Sequence, residues 1–198
     1  MSEEKENIKY RILEMALKRF QYYGYNKTTV EEIAEDAGIG KGSIYLHFKS
    51  KKEIFFNLVT IHFQKKLEEC EKVYSSNLSI RERIFNLIKV RFLDFYQDWS
   101  TKPHGYEIGE VITNLNDEFI SLTKPFRDKM ENILVKLIEE GNENGLFDVS
   151  DPLKIAKSIN YSFHIFLPSG VKFCSSVNEA LEYGKTIIDL FYKGMLKH

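Results

Sequence analysis

A chain of 198 residues that is 43% hydrophobic can close a real core, and its length suits one small module and one larger one. A formal net charge of −1 excludes a uniformly basic coat protein of the kind that packs chromosomes. No apolar run approaches the roughly 18 residues of a membrane span, and the charged start, with Glu3, Glu4, Lys5 and Glu6, is unlike the apolar stretch of a secretory signal. A cytoplasmic protein with no membrane partner is therefore expected. Cys70 and Cys174 fall in different predicted helices and outside any metal-ligand spacing, so they read as buried free thiols. No metal and no cofactor are expected.

Apolar residues recur three and four apart almost throughout, and only four prolines interrupt the chain, which predicts an all-α fold of about nine helices. The first helix is expected over Lys5 to Tyr23, with Ile8, Ile12, Met15, Ala16 and Phe20 on its inner face and Gly24 as its stop. A second begins at Thr28 or Thr29, which suit a cap, and ends near Ala37 before Gly38. A short third covers about Lys41 to His47. The fourth, about Lys51 to Val73, turns Ile54, Phe55, Leu58, Ile61 and His62 inward and joins the two modules.

Ser79 followed by Glu82 is a capping box that opens a helix from Ile80 to about Trp99. A shorter helix is expected around Tyr106 to Leu115. The next, about Glu118 to Asn142, carries Pro125, where a kink or restart is expected. Asp151 caps a helix with Pro152 at its first position, and the last helix runs from about Asn178 to Leu196.

A helix-turn-helix needs a small residue where two helices cross, a glycine that takes positive φ in the turn, and apolar residues that fix the angle. Ile33, Ala34, Ala37, Gly38, Ile39 and Ile44 supply these in order. No acidic residue lies between Gly38 and Lys52, while Lys41, His47, Lys49, Lys51 and Lys52 crowd together. A local basic patch on a near-neutral chain suits a site-specific DNA binder.

The stretch from Thr29 to Ile54 resembles the N-terminal signature of the tetracycline-repressor (TetR) family of bacterial regulators. The likeness rests on Thr29, Ile33-Ala34, Ala37-Gly38-Ile39, Ser43-Ile44-Tyr45 and the run from His47 to Lys51. It implies a three-helix DNA-binding head over residues 1–50 and a helical ligand-binding and dimerisation body over 51–198. The third helix would enter the major groove, with Lys41 and Ser43 reaching bases, Gly42 and Leu46 pointing straight out, and Tyr45 and His47 clamping phosphates. Thr29 and Lys51 would hold further phosphates. Gly40, in place of the usual capping residue, and Glu31, where some members carry a base-reading polar or basic residue, depart from the common pattern.

Of the chain's 15 Phe, 11 Tyr and one Trp, many follow residue 84, which exceeds what filling a compact bundle requires. The expected apolar ligand cavity is lined by Phe92, Tyr96, Trp99, Tyr106, Phe119, Phe126, Met130 and Phe163, on inner stripes that carry almost no charge. Asn160 is among the polar groups available for one headgroup. The helices from Pro152 and Asn178 carry apolar residues on more than one stripe, the last showing Leu181, Gly184, Ile188, Phe191 and Met195 with Ala180, Ile187 and Leu190 beside them, and a second stripe wants a second partner. The resemblance makes this the two-fold interface of a homodimer.

The function expected is a transcription regulator, in the first instance a repressor. It binds a palindromic double-stranded operator and is released by a small, mostly apolar effector such as an acyl chain, a lipophilic drug or an aromatic metabolite. The alternative is a DNA-binding protein of the same fold without an effector. An enzyme is not expected, because no nucleophile, base or phosphate-cradling motif is present.

Overall fold

The structure is a computed structural model that describes residues 2–93, 102–104, 107, 111, 114–162 and 177–197; for 2–4, 92, 93, 116, 177, 180 and 181 it describes the backbone alone. Eight α-helices are present among the described residues: α1 (Ser2–Tyr23), α2 (Val30–Asp36), α3 (Lys41–Tyr45), α4 (Lys51–Tyr74), α5 (Ile80–Ile88), α6 (Asn116–Glu143), α7 (Pro152–Ser162) and α8 (Val177–Met195). Two compact units form, one from Met1–His62 with Thr101–Thr123, the other from Phe63–Ser100 with Lys124–His198. The first unit thus takes in a segment distant in sequence, where the sequence reading placed a single boundary near residue 50.

In the first unit, Ile12, Ala16 and Phe20 of α1, Ile33 and Ala34 of α2, Ile44 of α3, and Ile54 and Phe55 of α4 are all buried, with α2 packed on α1 and α3 and Phe20 against Phe55. Each large apolar side chain enclosed in this way contributes roughly 1.5–3 kcal/mol. Phe20, Tyr25 and Phe55 stack at one end, with Tyr25 5.1 Å from Phe20 and 5.2 Å from Phe55 between ring centroids. Beyond Gly24, at φ +88°, Thr28 folds back and donates from both its amide and its hydroxyl to the Gly24 carbonyl. Ile61, expected on the inner side of α4, is 45% exposed, and the inner stripe there is narrower than the periodicity implied.

In the second unit, Ile84, Leu87 and Ile88 of α5, Met130, Leu134, Leu137 and Ile138 of α6, Ala156 and Ile159 of α7, and Ile188 and Met195 of α8 make one core. Two departures from the sequence reading occur. The helix opened by Ser79 does not continue as regular α-helix, because Lys89–Leu93 forms a π-helical turn. The α6 helix runs through Pro125 without restarting, since removal of one backbone donor on a long, well-packed helix is absorbed locally.

The interior of this unit is also not free of charge. The guanidinium of Arg91, in the π-turn, donates to Asn160 Oδ1 at 2.7 Å, and the Asn160 amide donates to Glu131 Oε2 at 2.9 Å. Burial pulls Arg91 down to about 10, with Glu131 and Cys70 opposing that shift and Arg127 adding to it. Arg83 forms a two-pronged bond to the Glu140 carboxylate and donates to the Tyr74 carbonyl at 3.2 Å. Helical periodicity located the apolar stripes but not these polar contacts, because their partners lie far apart in sequence.

Candidate nucleic-acid interface

The helix-turn-helix is built by two local devices. Thr29 caps α2: its hydroxyl accepts from the Glu32 amide at 3.3 Å, and its own amide donates to the Glu32 carboxylate at 2.8 Å. This reciprocal box satisfies orphan donors of the first turn and holds the Glu32 carboxyl below its ordinary range. The end of α2 is a Schellman turn, with Gly38 at φ +62° donating to the Glu35 carbonyl and Ile39 donating to the Ala34 carbonyl, both at 3.0 Å. A side chain at Gly38 would meet nothing, so the backbone conformation alone demands glycine there.

Ile44 and Phe48 anchor α3, at 0% and 1% exposure, while the opposite face is open. Lys41, Gly42, Tyr45 and Leu46 are exposed, Leu46 at 85%, and Ser43 and His47 are half-buried beside them. Gly42 has open space where a Cβ would stand, so nothing inside the protein calls for glycine at that point. These six expected contact residues are therefore brought together on one surface. Lys41 forms an ion pair with Glu31 of α2 and lies 5.9 Å from the Tyr45 ring.

The other two expected contacts are differently placed. Thr29 is exposed, but its amide and hydroxyl are both engaged by Glu32. Lys51 is half-buried, and its three donors meet the carbonyls of Tyr25 and Thr28, each at 2.7 Å, and of Asn26 at 3.4 Å. Burial lowers its pKa, and its ammonium lies 4.5 Å from the centre of the Tyr25 ring. In this structure Lys51 braces the loop between α1 and α2 through these carbonyls.

Sequence reasoning missed two supports of this surface. Arg19 of α1 grips the Asp36 carboxylate with two bonds, at 2.5 and 2.9 Å, and stands 3.0 Å from Glu32, tying α1 to both ends of α2. That separation of 17 residues carries no local signal. Ser50 accepts from the Glu53 amide at 3.1 Å, and the Glu53 carboxylate accepts from the Lys49 amide at 2.6 Å, which caps α4. Here a signal was present, because Ser50 and Glu53 stand at capping-box spacing.

Of the expected effector-lining residues, Tyr96, Trp99, Tyr106 and Phe163 lie outside the described residues, as does the side chain of Phe92. Phe126 packs on Phe63 at 6.2 Å, and Met130 is 4% exposed within the core of the second unit. Phe119, partly buried, belongs to the first unit. Of the eight, Phe119, Phe126 and Met130 are those whose side chains are described. An open apolar groove of about 350 Å³ lies along α7 and α8, lined by Ile155, Ile187, Leu190, Phe191, Gly194 and Met195.

Residues 12–58 match the model of the bacterial regulatory proteins of the tetR family, a span that begins inside α1 and ends inside α4. The regulator QacR of Staphylococcus aureus is 28% identical over 159 residues, covering 76% of this chain and 79% of its own. IcaR of the same species, the negative regulator of the biofilm operon icaADBC, is 26% identical over 148 residues, covering 69% and 77%. The regulator FadR of Bacillus subtilis, solved in complex with stearoyl-CoA, shares the fold at a TM-score of 0.70 and 20% identity, over 94% of this chain and 98% of its own. The capped α2, the glycine turn and the open face of α3 fall inside the matched span, so residues 12–58 form a DNA-binding head of the tetR type, and the relatives that the chain resembles over most of its length are DNA-binding transcriptional regulators, not enzymes.

Proposed function

We propose that this protein is a cytoplasmic repressor that binds a palindromic operator as a homodimer and lets go when a small, mostly apolar effector binds. The observation that carries the reading is the outward face of α3. Lys41, Gly42, Tyr45 and Leu46 stand exposed over a helix whose other side is fully anchored by Ile44 and Phe48. A lysine at the start of such a helix suits a guanine edge, Ser43 a base or a phosphate, and Tyr45 and His47 suit phosphates. Residues 1–50 supply the DNA-binding head in this reading and 51–198 the effector-binding and dimerising body.

Dimerisation is assigned to the apolar groove of α7 and α8, where Leu190 is 66% exposed. Repression is supported by IcaR, a negative regulator, and an acyl effector by the stearoyl-CoA held in FadR.

Titration of the purified protein against duplexes selected from a random pool tests the DNA-binding part. Sedimentation of the complex should give two protomers on each duplex. Release of the selected duplex by palmitate, palmitoyl-CoA, a lipophilic cation or a sugar phosphate then tests the effector. A duplex affinity unmoved by all four would favour the regulator without an effector.

A further inference from the structure

Glu31 lies on the first turn of α2 yet takes no part in the capping box, which uses Glu32. Its carboxylate instead meets the Lys41 ammonium at the first residue of α3, and both side chains remain more than half exposed. An exposed pair of this kind adds little to stability. Its position is the informative feature: it fixes one acceptor and one donor side by side at the leading end of the open α3 surface. The mutual bond lowers the Glu31 pKa and raises that of Lys41, so the pair is fully ionised at neutral pH.

Resting on the operator-binding reading above, we propose that Glu31 and Lys41 read a single G·C base pair as one unit, with the ammonium on guanine and the carboxylate on cytosine. In the major groove a G·C pair shows two acceptors, guanine N7 and O6, followed by one donor, the cytosine N4 amino group. The ammonium donates to the first two and the carboxylate accepts from the third. An A·T pair in the same place shows an acceptor, a donor, an acceptor and a methyl group, which sets the ammonium against an amino group and the carboxylate against an oxygen. Inverting the pair to C·G exchanges the two partners and fails equally. The ion pair need not break on binding, because each member keeps capacity for the base edge beyond its partner.

Selection from a random duplex pool, followed by anisotropy titrations at one fixed salt concentration, tests this with the full-length wild type, Glu31→Ala, Lys41→Ala and the double variant. The wild type should enrich one fixed G·C pair in each half-site. Glu31→Ala should lose about fivefold or more of the discrimination at that position and keep it at the others. The double variant should lose little more than the worse single variant, as two residues reading one base pair are strongly coupled. All variants should melt like the wild type, since both side chains are exposed. If Glu31→Ala bound every duplex more tightly by a common factor with its base preference intact, or showed unchanged discrimination, the proposal would be overturned while the DNA-binding reading stood. If the wild type enriched no duplex, both would fall.

Discussion

Gly42 and Lys51 are two expected DNA contacts whose surroundings in the folded chain differ in kind. A glycine inside a helix is a liability of about 1 kcal/mol against alanine, and nothing within the protein occupies the space a methyl group would take at Gly42. Gly42→Ala should therefore raise the melting temperature by about 2–4 °C while weakening operator binding. Calorimetry and duplex titration of the same preparation check the pair of effects; a variant that gained stability and bound DNA unchanged would mean that the backbone there does not approach DNA closely. Lys51 is the opposite case. Sequence position marked it as a phosphate contact, but its donors hold the Tyr25 and Thr28 carbonyls. Lys51→Ala leaves those carbonyls without their partner, which costs about 1–3 kcal/mol. The expected result is a clear drop in melting temperature with no change in the salt slope of DNA binding. A slope shallower by nearly one unit would restore Lys51 as a phosphate contact.

At the scale of the element, what was legible depended on how local its cause is. The Thr29 and Ser79 boxes, the Gly38 turn and the start of α7 at Pro152 follow from residues within four positions of one another, and each stands where periodicity and capping placed it. The π-turn at Lys89–Leu93 does not follow from local pattern, and its Arg91 pairs with Asn160, 69 residues away. The inward glycine of α6 was equally hidden. A methyl group at Gly141 would run into the ring of Phe147, itself 3% exposed and stacked edge-on against Tyr192 at 5.5 Å. The chain turns there between α6 and the strand-like bridge that pairs Phe147 with Leu196. Gly141→Ala should overpack that junction and destabilise the protein by about 1–3 kcal/mol, read as a lower denaturant midpoint at unchanged slope. The α3 surface, by contrast, should keep its affinity for DNA below the transition, because Gly141 belongs to the other unit.

For the whole molecule the decisive question is what covers the groove of α7 and α8. The sequence placed Ile188, Phe191 and Met195 on one stripe with Ile187 and Leu190 beside it; the structure buries Ile188 and Met195 and leaves Leu190 exposed along the groove. Phe191 is partly packed against the core and Leu190 is not, so a charge at Leu190 tests the interface with the smaller risk to the fold. In a lone protomer Leu190→Glu places a carboxylate in water at almost no cost. In a dimer closed over the groove the same carboxylate is buried without a partner, at a cost of several kcal/mol. The variant should therefore sediment as a monomer at micromolar concentration with its helical content and melting cooperativity intact. Two heads held together address half-sites one helical turn apart, about 34–36 Å, and the second head binds at the high effective concentration set by the first. A monomer loses that advantage, so operator affinity should fall by roughly 10²–10⁴-fold while binding to an isolated half-site stays near the wild-type value. An intact dimer carrying Leu190→Glu would place the two-fold contact on another face. A monomer that still bound the full operator as tightly as the wild type would show that the two heads act independently.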